Sequence, residues 1–215
     1  MKFLPPLILL PFLVAHLLAN VPELPSRKAT GDDEEGIADK VPALVAALEH
    51  AEAWEIYEGL PSAGEGRDLL ENEKRTKPVL LLDDNWFYLR TQSVTAADQR
   101  KLRSLYAADT FKPWGGVKFC GGFHGDFAVS FQSGETIHVV IFCLGCHEAR
   151  ILTLPAAEDL ASPKVIRRLT VDLADAHYGE LRALLLPYRK DRPLAPREKS
   201  KIPMPPVPPP VPVRF

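Results

Sequence analysis

Sulfur is scarce in this chain: 215 residues hold three cysteines and two methionines. A small secreted scaffold stapled by disulfides carries more cysteine than that, so a hydrophobic core has to supply most of the stability. The odd count leaves one thiol beside one disulfide, or a site that uses all three sulfurs. Neither charge is in excess, with 26 Lys and Arg against 28 Asp and Glu, which argues against nucleic acid as the main partner. There is no Gly-rich phosphate loop, no serine nucleophile elbow and no pair of carboxylates on one helix face, so the case for an enzyme is weak. No internal repeat is visible, and after Leu18 no apolar run approaches the roughly 20 residues that a membrane-spanning helix needs.

What is present begins with an export signal. Met1 and Lys2 form a short positive start, and Phe3 to Leu18 is apolar without a charge. That run is broken by Pro5, Pro6 and Pro11, and small residues follow at Ala15 and Ala19 near a cleavage point around Ala19 or Asn20. Residues 1–20 are therefore expected to be a signal peptide, placing the mature chain in the periplasm or outside the cell. No cysteine stands near the signal, so a bacterial lipid anchor is not indicated. The remainder fits one domain with tails. Residues 21–38 read as an acidic flexible linker around Asp32, Asp33, Glu34 and Glu35. Residues 191–215 read as a basic, Pro-rich tail favouring an extended backbone.

Residues 39–190 are expected to form an α+β domain, an antiparallel β-meander packed by two or three helices. Val41, Leu44, Val45 and Leu48 recur on one helical face, with Asp39 placed to cap the helix and Pro42 in its first turn. Trp54 to Glu58 reads as a strand, and a second apolar stretch covers residues 79–92. Thr95 with Asp98 resembles a capping box ahead of a helix that buries Leu102, Leu105 and Tyr106. Strands are expected at Phe127 to Phe131, Ile137 to Phe142 and Ala149 to Leu152, with a turn at Ser133 and Gly134. A last helix is expected from near Asp172, with Leu173, Ala176, Leu181, Leu184 and Leu185 as its stripe.

All three cysteines fall in the meander. One motif is Phe119-Cys120-Gly121-Gly122-Phe123-His124 and the other is Cys143-Leu144-Gly145-Cys146-His147. A Cys-x-x-Cys pair across a tight turn points two sulfurs at one place, and Gly145 can supply the positive φ such a turn often needs. Gly121 and Gly122 let Cys120 and His124 converge. The bland chemistry is a disulfide, or cysteines buried as small apolar residues. A zinc site would draw on Cys120, Cys143 and Cys146, with His124 preferred over His147 as fourth ligand, because His147 follows Cys146 into a strand where neighbouring side chains face opposite ways. Thiol–disulfide exchange is a further alternative, but it usually needs a helix starting at the motif, and Ala149 to Leu154 reads as strand.

Residues Cys143-Leu144-Gly145-Cys146-His147 also resemble the haem-attachment motif of c-type cytochromes. That resemblance implies thioethers at Cys143 and Cys146, His147 as an iron ligand, and Met204 as a candidate for the opposite side. More broadly, the Cys120 to His124 stretch, followed by an apolar strand into Cys143 and Cys146, resembles uncharacterised exported bacterial proteins. It implies that Cys120 belongs with the Cys-x-x-Cys pair, and that His147 is less essential than a haem site requires. Among the other polar residues, Asp126 reads as a turn residue or a partner orienting His124, Asp83 and Asp84 as turn residues, and His138 as a hydrogen-bonded core histidine. The expected function is an exported, non-catalytic binding or structural module with a disulfide or zinc cluster, and its partner is unknown.

Overall fold

The computed structural model describes residues 37–107, 109–116, 122–156 and 167–193. The expected signal peptide, most of the expected acidic linker, Cys120 and the Pro-rich tail from residue 194 lie outside the described residues. What is described is an α+β single domain with four α-helices, a mainly antiparallel sheet of seven strands and a separate two-stranded hairpin.

The first helix, α1, runs Ile37–Ala47, so Asp39 lies inside it rather than at its cap and Pro42 falls in the second turn. Leu44 and Leu48 are buried, as their spacing requires. Strand β1 (Glu52–Glu58) follows, then helix α2 (Arg67–Thr76), which the sequence reading missed because its mean hydropathy is low and it buries only Glu73. Strands β2 (Val79–Leu82) and β3 (Asn85–Tyr88) pair antiparallel through Asp83 and Asp84. Both turn residues are left-handed, with φ of 47° and 62°. That is the geometry of a two-residue hairpin turn whose twist matches its strands.

After the short strand β4 (Gln92–Ser93) comes helix α3 (Ala96–Ala107), capped by Thr95 as expected: Asp98 N donates to Thr95 Oγ1 at 3.1 Å, and the Thr95 hydroxyl donates to Asp98 Oδ2 at 2.9 Å. Strand β5 is Phe111–Pro113, and the meander comprises β6 (Phe127–Ser133), β7 (Thr136–Cys143) and β8 (Glu148–Pro155). Strand β9 (Arg167–Leu173) and helix α4 (Asp175–Leu185) close the domain. The expected helix from Asp172 is corrected by three residues: Leu173 pairs with Phe111 in the sheet and helix begins only at Asp175. The sheet order is β4-β1-β6-β7-β8-β9-β5, with β7 near the centre.

Side chains alternate between faces along a strand, and β7 separates two cores on that rule. Val140 and Phe142 join the larger cluster, with Trp54, Ile56, Leu102, Tyr106 and Leu181 from β1, α3 and α4. Val139 and Ile141 join a smaller cluster with Leu80, Leu82 and Phe87 from the β2–β3 hairpin. The sheet is thus covered on both faces, by helices on one and by the hairpin on the other. The continuous apolar reading of β7 has this physical cause: a strand buried on both faces loses the polar alternation of a half-exposed one. No described helix is long and apolar enough to cross a membrane.

The registers bring one row of strand ends together. Glu58 pairs with Phe127, Phe127 with Phe142, Phe142 with Ala149, and Ala149 with Val171. Residues just beyond that row in β6, β7 and β8 form the region where the cysteines and histidines collect.

Candidate functional site

Strand β7 delivers Cys143 to this end of the sheet, and the chain returns as β8 after residues 144–147. Cys143 is a free thiol with 2% of its surface exposed. Cys146 is disulfide-bonded. The expected positive φ at Gly145 is not found. His147 takes the left-handed conformation instead, at φ 55°, which turns the chain into β8.

The loop entering β6 supplies the other half of the site. Gly122 has φ of 99°, the flexibility the glycine pair was read to provide. His124 N donates to Cys143 Sγ at 3.4 Å. Cys146 Sγ lies 3.3 Å from Gly122 O. The two motifs therefore meet in space through Gly122, His124, Cys143 and Cys146. Burial is the largest influence on the Cys143 thiol and pushes its pKa up; the backbone N–H groups of His124 and Cys146 work the other way, and Asp126 and Glu148 add to the rise.

His124 Nε2 is buried and makes no hydrogen bond among the described residues. It stands 3.9 Å from Asp126 Oδ1, too far for a hydrogen bond. Burial pulls the imidazole below its ordinary range, outweighing the opposing pull of Asp126. Asp126 is otherwise engaged. Its Oδ2 accepts from Leu144 N at 2.8 Å, pinning the cysteine turn, and its Oδ1 accepts from Arg192 Nη1 at 2.9 Å. His147 leaves the site altogether: its ring stacks on Tyr178 with centroids 3.7 Å apart, and Nδ1 is 3.4 Å from Asp175 Oδ1 on α4. Tyr178 in turn donates its hydroxyl to Leu144 O at 2.7 Å.

Sequence reasoning missed the polar frame behind this site. Glu58, 1% exposed at the end of β1, accepts backbone N–H groups from Lys190 and Asp191, both at 2.7 Å, and from Arg192 at 2.9 Å. The Arg192 guanidinium reaches Asp126 and also Glu65. Glu65 is pushed up by burial, but the Ser62 N–H and the Arg192 charge together outweigh this and hold it below the usual carboxylate range. The chain is thus anchored through Arg192, two residues past the boundary read from composition. Only the run of basic residues hinted at it, since each contact spans 66 residues or more, apart from the local chain closure at Ser62.

Of the residues singled out for zinc, the structure brings together His124, Cys143 and Cys146, while Cys120 lies outside the described residues. Met204 also lies outside them. Among the described residues no group of three or more His, Cys, Asp or Glu is arranged to hold a metal ion. Elsewhere, Asp83 does more than turn the hairpin, pairing with Arg150 at 2.9 Å and Arg168 at 3.2 Å. His138 is buried and stacked on Phe131, with centroids 5.1 Å apart. No protein-family model matches this chain, and comparison with curated proteins and with solved structures finds no match, so the functional reading rests on the geometry of the site.

Proposed function

We propose that the chain is an exported, non-catalytic binding or structural module whose cysteine turn is clamped by a disulfide from Cys146 to Cys120. The observation that carries this reading is the disulfide-bonded state of Cys146 beside a free, buried Cys143. With three cysteines in the sequence, Cys120 is the intrachain partner left for Cys146. The sulfur of Cys146 also lies against Gly122, two residues from Cys120 in sequence. Such a bond would tie the loop entering β6 to the β7–β8 turn and hold one end of the sheet rigid. Alkylation of the denatured, unreduced protein should then label one cysteine, and peptide mapping should find the label on Cys143.

A zinc site built from Cys120, His124, Cys143 and Cys146 is the second reading. It is favoured by the buried His124 Nε2, which has no hydrogen-bond partner among the described residues, and by the Cys143 sulfur accepting the His124 N–H, as a metal-bound thiolate does. It requires Cys146 reduced. Zinc content in the purified protein, lost in His124→Ala and kept in His147→Ala, would replace the disulfide reading with this one. Haem is least supported, because the motif forms a turn between two strands and His147 is engaged by Tyr178. An intense Soret band in the visible spectrum would overturn that ranking.

A further inference from the structure

We infer that Cys143 and Cys146 form an internal disulfide relay, in which the buried thiol exchanges with the existing disulfide while the domain stays folded. The inference rests on the disulfide reading above. Cys143 is not an isolated thiol: two residues separate it from a disulfide-bonded cysteine in the same tight turn between β7 and β8. Both residues sit against the same short loop, Cys143 through His124 N at 3.4 Å and Cys146 through Gly122 O at 3.3 Å. With 2% of its surface exposed, Cys143 is shielded from dissolved oxidants and small disulfides. The reaction partner within its own turn is the Cys146 sulfur.

The step is balanced without any added reagent. Cys143, as thiolate, attacks Cys146 Sγ, and the Cys143–Cys146 bond forms as the bond from Cys146 to its present partner breaks. The electron pair leaves with the partner sulfur, which takes up the proton that Cys143 gave up. One disulfide and one thiol exist before and after. The N–H groups of His124 and Cys146 stabilise the attacking thiolate, although burial keeps that ion scarce. A thiol of raised pKa gives fewer thiolates but each is the stronger nucleophile, so exchange is slow rather than forbidden. The consequence is a thiol that can move from a sealed position to one elsewhere in the chain.

The test uses the mature full-length protein, purified without reductant. It is incubated folded at mildly alkaline pH, quenched with acid, alkylated in denaturant, digested and mapped. At the start, label is expected on Cys143 alone. With time, label should appear on a second cysteine as occupancy of Cys143 falls by the matching amount, and a peptide carrying a Cys143–Cys146 disulfide should appear. Cys143→Ser should show no label at either remaining cysteine. A sample held in denaturant, where the sulfurs meet freely, sets the time allowed. Label staying on Cys143 alone through that period, with the folded state intact, overturns the relay and leaves the disulfide reading standing. Label on all three cysteines at the start overturns the disulfide reading itself, and the relay with it.

Discussion

Removing the Glu58 carboxylate should cost the domain more than removing any surface acid. Glu58 is 1% exposed and receives three successive backbone N–H groups, at 2.7, 2.7 and 2.9 Å. Bonds to a charged acceptor are usually worth about 1.5–3 kcal/mol, but water can reach the exposed Lys190 side of this strap and replace part of each. At about 1 kcal/mol for each of the three, Glu58→Ala should lose about 3 kcal/mol. For a domain of this size that corresponds to a fall of about 6–12 °C in melting temperature. Glu58→Gln keeps the shape and one acceptor but turns an amide donor toward an N–H, so it should fall between parent and Glu58→Ala. Ending the chain after Arg189 should reproduce the loss and add that of the Arg192 ion pairs. Ending it after Pro193 should change nothing if the Pro-rich tail behaves as its composition predicts. Thermal melting followed by near-UV circular dichroism reads all four. Unchanged melting of Glu58→Ala, or an equal loss on ending the chain after Pro193, would show that the strap at residues 190–192 does not hold the fold.

Other expectations can be checked on the same protein. Cys146→Ala removes a bond that would close a loop of about 27 residues and should cost about 3–4 kcal/mol in urea unfolding, whereas reduction of the parent should produce nearly the same loss; equal stability of parent and variant without reductant would contradict the clamp. His124 and His138 are both held below the ordinary imidazole range, chiefly by burial. The unfolded chain takes up protons first, near pH of about 6.5, so stability is complete above that value and declines as the pH falls toward the depressed folded values. The urea midpoint should therefore drop on mild acidification and drop less in His138→Phe, and a midpoint that rises on acidification would refute the assignment. A Cβ on Gly59 would stand 1.8 Å from Gly125 O, so Gly59→Ala should give little soluble folded protein. Gly179→Ala, in α4 with nothing within 4 Å, should instead gain about 1 kcal/mol, and the pair of soluble yields and melting curves decides the point.

The sequence by itself determined those features whose cause is local. The α3 cap was legible because Thr95 and Asp98 need only each other, and strands β6 to β8 because alternation and apolar runs are written in adjacent residues. The two cysteine motifs were legible as chemistry, but His147 leaves the site for a reason other than the expected strand alternation: it precedes β8, in a left-handed turn position that sets its ring on Tyr178. Tertiary structure alone decided the rest. The last two residues of strand β9, Asp172 and Leu173, were read as the start of a helix because Leu173 suits either periodicity, and only pairing with Phe111 settles it. Helix α2 carries too little apolar surface to announce itself, and it is placed by Glu73 accepting from Tyr88 at 2.8 Å. The frame behind the cysteines joins Glu58, Asp126 and Arg192 across 66 and 134 residues. No periodicity encodes such contacts: a charged residue near a strand end looks the same in sequence whether water or a buried partner will meet it, and only the assembled sheet removes the water.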